Sequence, residues 1–198
     1  MAVGGGYEKN PQYNAYLSMF RLNDKKTEII FLGDSITARG RFEEFFSEKQ
    51  VLNRGIGSDV SEGILNRLDE IVIHEPQQVF IMAGINDLAH GAAPEEIRDN
   101  MDKIIKRLKE SLPDTEVYIQ SVLPVADSKI SLDEICEVNG ELRGAAQEND
   151  CNYVDLYGQF TDMNGDVISQ YLSEDGVHLT GAGYAEWIET IDEYIMSE

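Results

Sequence analysis

The fold is decided by the stretch at residues 28–35, which reads EIIFLGDS. Four large apolar residues in a row, at 29–32, indicate a strand that is buried on both faces, as strands of parallel sheets are. The run ends at Gly33, Asp34 and Ser35, which place a turn and a hydroxyl group directly after the strand. The stretch therefore predicts the first strand of a parallel α/β sheet with a polar loop at its carboxyl end.

Strand-like runs and amphipathic helical patterns alternate along the rest of the chain. The predicted strands are 28–33, 50–54, 78–84, 116–122 and 152–157. Apolar residues recur at helical spacing between them, as in Ile64, Leu65, Leu68, Ile71 and Val72, and in Ile97, Met101, Ile104, Ile105 and Leu108. Such alternation requires right-handed crossovers with helices on both sides of the sheet. We predict an α/β fold, a three-layer α/β/α sandwich with a parallel, flavodoxin-like five-stranded sheet.

Helix start signals support this organisation. Ser131 followed by Glu134 is a capping box, and the last helix is expected to begin near Thr180. Before the first strand, helical spacing predicts an N-terminal helix laid on the body, with Tyr13, Tyr16, Leu17 and Phe20 on one face. We therefore divide the chain into an N-terminal arm and helix, 1–27, and one domain, 28–198.

Charge and hydropathy restrict the function. The 198 residues include 37 acidic and 16 basic side chains, a formal charge of -21 at pH 7. Such a surface repels phosphate backbones and anionic lipid headgroups, so neither nucleic acid binding nor membrane insertion is expected. No apolar run reaches the ~20 residues of a membrane helix, and no signal peptide is visible. A cytoplasmic location is the expectation.

The two cysteines, Cys136 and Cys151, are too few and too far apart for a redox pair or a zinc site. Cys136 falls inside a helical pattern, so it is expected to be a buried free thiol. We expect neither a metal nor a cofactor.

The loops after the predicted strands bring the chemistry together, because ligands bind beyond the carboxyl ends of such strands. There lie the Ser35 hydroxyl, glycine-rich backbone at 55–58 and the Asn86 amide, while Asp175 and His178 precede the last helix. Acyl transfer needs a hydroxyl, a base that takes its proton, a partner that orients the base, and donors for the oxyanion. The sequence offers one candidate for every role.

Four short blocks carry a resemblance to a known family. In chain order they are Gly33-Asp34-Ser35, Asn53-Arg54-Gly55-Ile56-Gly57, Gly84-Ile85-Asn86-Asp87 and Asp175-Gly176-Val177-His178. Their order and placement cover most of the chain. The chain thus resembles the SGNH hydrolases (GDSL lipases and esterases). The residues around the second and third blocks are similar to the branch that contains platelet-activating-factor acetylhydrolases and their bacterial relatives.

The resemblance implies a role for each site residue. Ser35 would be the nucleophile and would give one oxyanion-hole amide from its own backbone. Asn86 would donate its side-chain amide. His178 would be general base and then general acid, oriented by Asp175. Residues 28–198 would be the hydrolase domain.

The second block departs from the family pattern at Ser58. There the family has a glycine whose backbone N–H donates to the oxyanion, and this chain has Ser58 preceded by Gly57. The backbone N–H survives that exchange, whereas the positive φ that glycine tolerates is at risk. Ser58 is therefore the expected donor, and Gly57 is the alternative.

Other titratable residues have structural interpretations. Asp59 is expected to cap the following helix, and Asp34 and Asp87 to hold their loops by bonding backbone amides. His74, at a predicted helix end, is expected to be solvated or to face the negative end of the helix dipole. His90 is expected to have a structural role.

Two other functions are open to this fold. One is a metal-dependent phosphoesterase that would use Asp34, Asn86, Asp87, Asp175 and His178. Such a site would be expected to hold more histidines at ligand spacing than the three of this chain. The other is a non-catalytic binding module, because fold alone does not prove activity.

The expected substrate is a small-molecule ester with a short acyl group, such as acetyl, cleaved through an acyl-enzyme. The segment at 36–49 leaves little room for a lid, and no amphipathic helix with a basic face is evident. Arg39 and the segment 123–125 (Leu-Pro-Val) are candidate pocket residues. The sequence is compatible with a homodimer.

Overall fold

The computed structural model describes residues 7–127 and 129–195 and contains a five-stranded parallel sheet. The strands are β1 (Ile29–Gly33), β2 (Val51–Gly55), β3 (Gln78–Met82), β4 (Glu116–Gln120) and β5 (Asn152–Val154). Their order in the sheet is β2-β1-β3-β4-β5, and every neighbouring pair is parallel. This is the flavodoxin-like order, so the predicted fold class is confirmed.

Helices lie before, between and after the strands. They are α1 (Tyr13–Phe20), α2 (Ser35–Ala38), α3 (Phe42–Phe45), α4 (Ser61–Asn66), α5 (Leu68–Val72), α6 (Ile85–Ala89), α7 (Pro94–Ser111), α8 (Leu132–Glu148) and α9 (Gly181–Asp192). Short 3₁₀ turns lie at Tyr7–Lys9, Tyr157–Phe160 and Ser169–Tyr171.

Helix starts follow the sequence signals. The Ser131 hydroxyl accepts the Glu134 N–H at 3.1 Å, and the Glu134 carboxylate accepts the Ser131 N–H at 2.9 Å. Thr180 caps α9. The apolar stripe at 64–72 is divided between α4 and α5, because Arg67 lies between them with φ -111° and ψ 14°.

Stacked aromatic rings cross the sheet and form part of its core. Phe31 of β1 stacks on Phe42 of α3, with ring centroids 3.8 Å apart, and on Phe80 of β3 at 5.1 Å. Phe80 stacks on Tyr118 of β4 at 4.5 Å, and Trp187 of α9 packs edge-on against Phe42 at 5.1 Å. These contacts hold together the two central strands from which the site loops begin.

The predicted N-terminal helix is present as α1, and it lies against the loop that follows β2. Tyr13 and Leu17 form a small buried cluster with Ile56 of that loop, and Phe20 packs at its edge. The Tyr13 hydroxyl donates to the Gly63 carbonyl at 2.7 Å. The arm is therefore attached to the side of the domain that carries the second block.

Candidate active site

Ser35, His178 and Asp175 lie in hydrogen-bonded series beyond the carboxyl end of β1. Ser35 is the first residue of α2, and the other two lie in the loop before α9. His178 Nε2 lies 2.9 Å from Ser35 Oγ, and His178 Nδ1 lies 2.6 Å from Asp175 Oδ2. The structure therefore brings together the three residues that the sequence selects.

Hydrogen bonds from its own loop hold the Asp175 carboxylate. Its Oδ1 accepts the His178 N–H at 2.9 Å, the Val177 N–H at 3.0 Å and the Ser173 hydroxyl at 2.8 Å. The two backbone bonds are the largest cause that places the pKa of Asp175 well below its ordinary value. An ionised Asp175 accepts the Nδ1–H of His178, which leaves Nε2 as the acceptor for the Ser35 hydroxyl.

Asp34 shapes the turn that presents Ser35. As predicted, it bonds a backbone amide: its Oδ1 accepts the Ile36 N–H at 2.9 Å and caps α2. The Ile36 carbonyl in turn accepts the Tyr184 hydroxyl of α9 at 2.7 Å. Ser35 is half-buried, and its backbone N–H donates to no other residue among those the structure describes. That N–H is therefore open to a ligand.

Asn86 lies at the start of α6, on the loop directly after β3. Gly84 makes the turn before it with a φ of 135°, a value that requires glycine. Asn86 Nδ2 donates to the Asp59 carbonyl at 2.9 Å and to Asp34 Oδ2 at 3.3 Å. The bond to Asp34 is the longer and weaker one. Asn86 thus joins two neighbouring loops through its amide, and the N–H that bonds Asp34 is the more weakly held of the two.

The loop at 56–59, which we call the second loop, carries both candidate backbone donors. The Ile56 N–H donates to the Gly33 carbonyl at 3.0 Å, which ties this loop to the end of β1. Ser58 has a φ of 56°, so the positive φ expected of glycine is kept. Within the described parts of the chain, the N–H groups of Gly57 and Ser58 donate to no other residue. Both are therefore open to a ligand.

Two buried carboxylates brace these loops. Asp59 pairs with Arg67 at 2.9 Å, and the same guanidinium donates to the Gly33 carbonyl at 3.1 Å. The prediction that Asp59 caps a helix is wrong, because its carboxylate turns inward to the buried Arg67 and α4 begins only at Ser61. Asp87 accepts the Ser61 N–H at 3.0 Å, so its predicted bond to a backbone amide is present.

Burial raises the pKa values of the carboxyl groups under the site. It is the main cause that raises the pKa of Asp34 to about 7 and that of Asp59 to about 6, and it also raises the pKa of Asp87. A carboxyl group whose pKa is raised by folding stabilises the protein fully below its unfolded pKa. That contribution is lost as the pH rises through the folded pKa.

We therefore expect Asp34 to lower the free energy of unfolding by on the order of a few kcal/mol as the pH rises from about 4 to about 7. Replacing the carboxyl group in Asp34→Asn should reduce this pH dependence, as measured by urea unfolding at several pH values. Asp24→Asn, at an exposed aspartate, is the matched control and should keep the wild-type slope. A slope unchanged in Asp34→Asn would contradict the assignment.

His74 is buried, which corrects the prediction of a solvated or dipole-facing helix end. Its Nδ1 lies 2.6 Å from the Lys25 carbonyl, and its Nε2 lies 3.0 Å from Glu70 Oε1. Arg54 pairs with the same carboxylate at 2.7 Å. The imidazole is therefore satisfied by protein partners instead of water. His90 lies exposed at the end of α6.

Cys136 is exposed, which corrects the prediction of a buried thiol. The buried face of α8 includes Ile135, Val138 and Leu142. Consecutive helical residues are rotated by about 100° around the axis. Cys136 is therefore turned out of the stripe that begins with its neighbour Ile135.

The loop after β4 contacts the loop that holds His178. The Ala126 N–H donates to the Gly176 carbonyl at 2.7 Å. Of the predicted pocket residues, 123–125 are buried in that loop, whereas Arg39 is exposed at the end of α2.

The sequence did not predict the bond from Ser173 to Asp175, because its only signal is a hydroxyl two residues before Asp175.

The residues considered for a metal site have other partners. Asp87 binds Ser61, Asp34 caps α2, and Asp175 binds His178. Across the described ranges, no group of three or more His, Cys, Asp or Glu side chains is placed to hold a metal ion. In the same ranges no helix is both long enough and apolar enough to cross a membrane.

A parallel α/β sheet with serine, histidine and aspartate in hydrogen-bonded series at one rim is the arrangement found in serine hydrolases. The chain belongs to the GDSL-like lipase/acylhydrolase family, whose model matches residues 31–186.

Named relatives agree with this family. The human platelet-activating factor acetylhydrolase IB subunit alpha2 is 28% identical over 181 residues, which cover 87% of this chain and 78% of that protein. Human subunit alpha1 is 30% identical over 169 residues, or 81% and 72% of the two chains. A GDSL-like lipase from Bacteroides thetaiotaomicron has a TM-score of 0.79 and 25% identity, covering 92% of this chain and 96% of its own. The chain is thus an acylhydrolase.

Proposed function

We propose that this chain is a serine esterase that transfers the acyl group of its substrate to Ser35 and then to water. The observation that carries the proposal is the pair of contacts made by His178, from Nε2 to Ser35 Oγ at 2.9 Å and from Nδ1 to Asp175 Oδ2 at 2.6 Å. A serine hydroxyl becomes a nucleophile when an adjacent base takes its proton. The base needs an ionised partner that fixes its tautomer.

The proposed reaction has two halves. In the first, Ser35 Oγ attacks the ester carbonyl carbon and its proton moves to His178 Nε2. His178 then gives this proton to the alcohol oxygen as the C–O bond breaks, and an acyl-Ser35 ester is left. In the second, water attacks the acyl carbon through the same base, the proton returns to Ser35 Oγ, and the carboxylic acid leaves. Asp175 stays ionised and stabilises the imidazolium.

We assign three donors to the oxyanion that forms in each half. They are the backbone N–H groups of Ser35 and Ser58 and the side-chain amide of Asn86, with the Gly57 N–H as the alternative to Ser58. The assignment is supported by the backbone N–H groups, which have no described partner, and by the long bond from Asn86 to Asp34. Preorganised donors of this kind stabilise the transition state more than the ground state.

The proposed substrate is a small-molecule ester with a short acyl group, acetyl first. The two human relatives are acetylhydrolases by name. Between Ser35 and β2 the chain forms only the short helices α2 and α3, which supports a site without a large lid. A cytoplasmic location, a homodimer and a domain boundary at residue 28 stay predictions.

We expect kcat/KM for p-nitrophenyl esters to be highest from acetyl to butyryl. It should fall by about 10-fold or more at longer chains, since a short pocket cannot bury the added methylenes. The measurement is a panel from acetyl to palmitoyl. A p-nitrophenyl phosphate control and a chelator should show no phosphatase turnover and no loss of esterase activity. A kcat/KM that rises steadily to palmitoyl would indicate a lipase instead.

A further inference from the structure

The second loop forms a β-turn whose type depends on the peptide between Gly57 and Ser58. The Asp59 N–H donates to the Ile56 carbonyl at 3.1 Å, which closes the turn. The φ of Ser58 is 56°, whereas the φ of Gly57 is not positive. A positive φ at the third residue alone identifies a type II turn, in which that position normally holds glycine or asparagine.

A serine at the third position, residue 58, is energetically unfavourable in a type II turn. The related type I turn has a negative φ at the third residue and differs mainly by a flip of the central peptide. Serine favours the type I form, since its Cβ makes a positive φ costly. In a flipped peptide, the Ser58 N–H and the Gly57 carbonyl would exchange directions. The turn therefore needs a contact that holds the Gly57–Ser58 peptide.

Asn10, in the arm before α1, makes that contact. Its Nδ2 donates to the Gly57 carbonyl at 2.6 Å, while its Oδ1 accepts the Gln12 N–H at 3.0 Å. The two bonds fix which end of the amide faces the second loop. The arm itself is held by the Tyr13 hydroxyl on the Gly63 carbonyl at 2.7 Å.

We propose that Asn10 is a positioning residue for the oxyanion hole. In a trans peptide the C=O and N–H groups point in opposite directions. By holding the Gly57 carbonyl on the arm side, Asn10 keeps the Ser58 N–H turned to the other side, toward the reacting carbonyl oxygen. The inference rests on the proposed function, in which the Ser58 N–H is an oxyanion donor. On this inference the N-terminal arm takes part in catalysis, although it is distant in sequence from Asp175 and His178.

The test compares Asn10→Ala with Asn14→Ala, an exposed asparagine at the start of α1 that serves as the matched control. Asn10→Ala should lower kcat for p-nitrophenyl acetate by roughly 5- to 20-fold with a smaller change in KM. The Ki of an alkyl trifluoromethyl ketone, which forms a tetrahedral oxyanion adduct with Ser35, should rise by the same factor. Asn10→Asp is a second variant of nearly the same shape. It keeps the acceptor for Gln12 but repels the Gly57 carbonyl, and it should show the same loss.

Rescue separates this role from a merely structural one. Glycine adopts a positive φ at no steric cost, so Ser58→Gly should hold the type II turn without help. Asn10→Ala in the Ser58→Gly background should therefore cost less than about 3-fold in kcat. If Asn10→Ala changes neither kcat nor the inhibitor Ki while Ser35→Ala is inactive, the inference about Asn10 fails and the assignment of Ser35 as nucleophile is kept. An Asn10→Ala loss of the same size in both backgrounds also overturns it. An active Ser35→Ala protein would instead overturn the proposed function.

Discussion

Ser35→Ala is expected to reduce esterase turnover by about 10⁴-fold or more, to near the background rate of the assay. The Ser35 hydroxyl oxygen lies 2.9 Å from His178 Nε2 and is the atom that would form the acyl-enzyme. Alanine has no atom in its place. Fold stability should change little, because Ser35 is half-buried and the α2 cap is made by Asp34. The measurement combines steady-state rates with labelling by a fluorophosphonate probe, which should be abolished as well.

Controls for Ser35→Ala come from the same chain. Ser47→Ala changes an exposed serine outside the site and should keep wild-type turnover and labelling. His178→Ala should lose nearly as much activity as Ser35→Ala. The double variant should lose no more, because the members of such a series act as a unit. Appreciable esterase activity in purified, folded Ser35→Ala protein would contradict the nucleophile assignment.

The sheet and the three-residue series could be predicted because their signals are local. The apolar run at 29–32 and the hydroxyl after it appear within eight residues, and Asp175 and His178 are three residues apart. A parallel sheet then places its strand ends at one rim, whatever the sequence separation. The predictions for β1, β3, β4 and β5 are one to three residues too long, and the prediction for β2 is shifted by one residue. At β3 and β4 the excess arises because apolar residues continue into the buried loops after the strands.

The remaining contacts depend on which side chains tertiary packing buries together. Asp59 pairs with Arg67 and His74 with Glu70 at short sequence separation, but nothing in the spacing shows that all four side chains are buried. Spacing alone assigned Asp59 to a helix cap, which is the usual role of an aspartate before a helix. The bond from Asn10 to the Gly57 carbonyl spans 47 residues and has no motif. Such pairs follow from tertiary packing, which periodicity and turn signals do not encode.

The second large effect is expected at Asn86. The Asn86→Ala change should lower kcat by about 10²–10³-fold with a smaller change in KM, because an oxyanion donor acts mainly in the transition state. Asn86→Asp has nearly the same shape but brings a negative charge beside the oxyanion and beside Asp34, so its loss should be at least as large. Rates on p-nitrophenyl acetate and the Ki of the trifluoromethyl ketone measure both effects.

Truncation of Asn86 also removes its bond to the Asp59 carbonyl, so a structural loss must be separated from a catalytic one. Asn100→Ala provides the comparison, since the Asn100 amide donates to Ser61 Oγ at 2.9 Å in the same loop network. It should lower the free energy of unfolding by about 0.5–1.5 kcal/mol, as loss of one hydrogen bond does, with kcat within a few-fold of wild type. If Asn86→Ala changed KM alone, or lost no more kcat than Asn100→Ala, its amide would bind the ground state or brace the loop. The oxyanion would then rely on the two backbone donors.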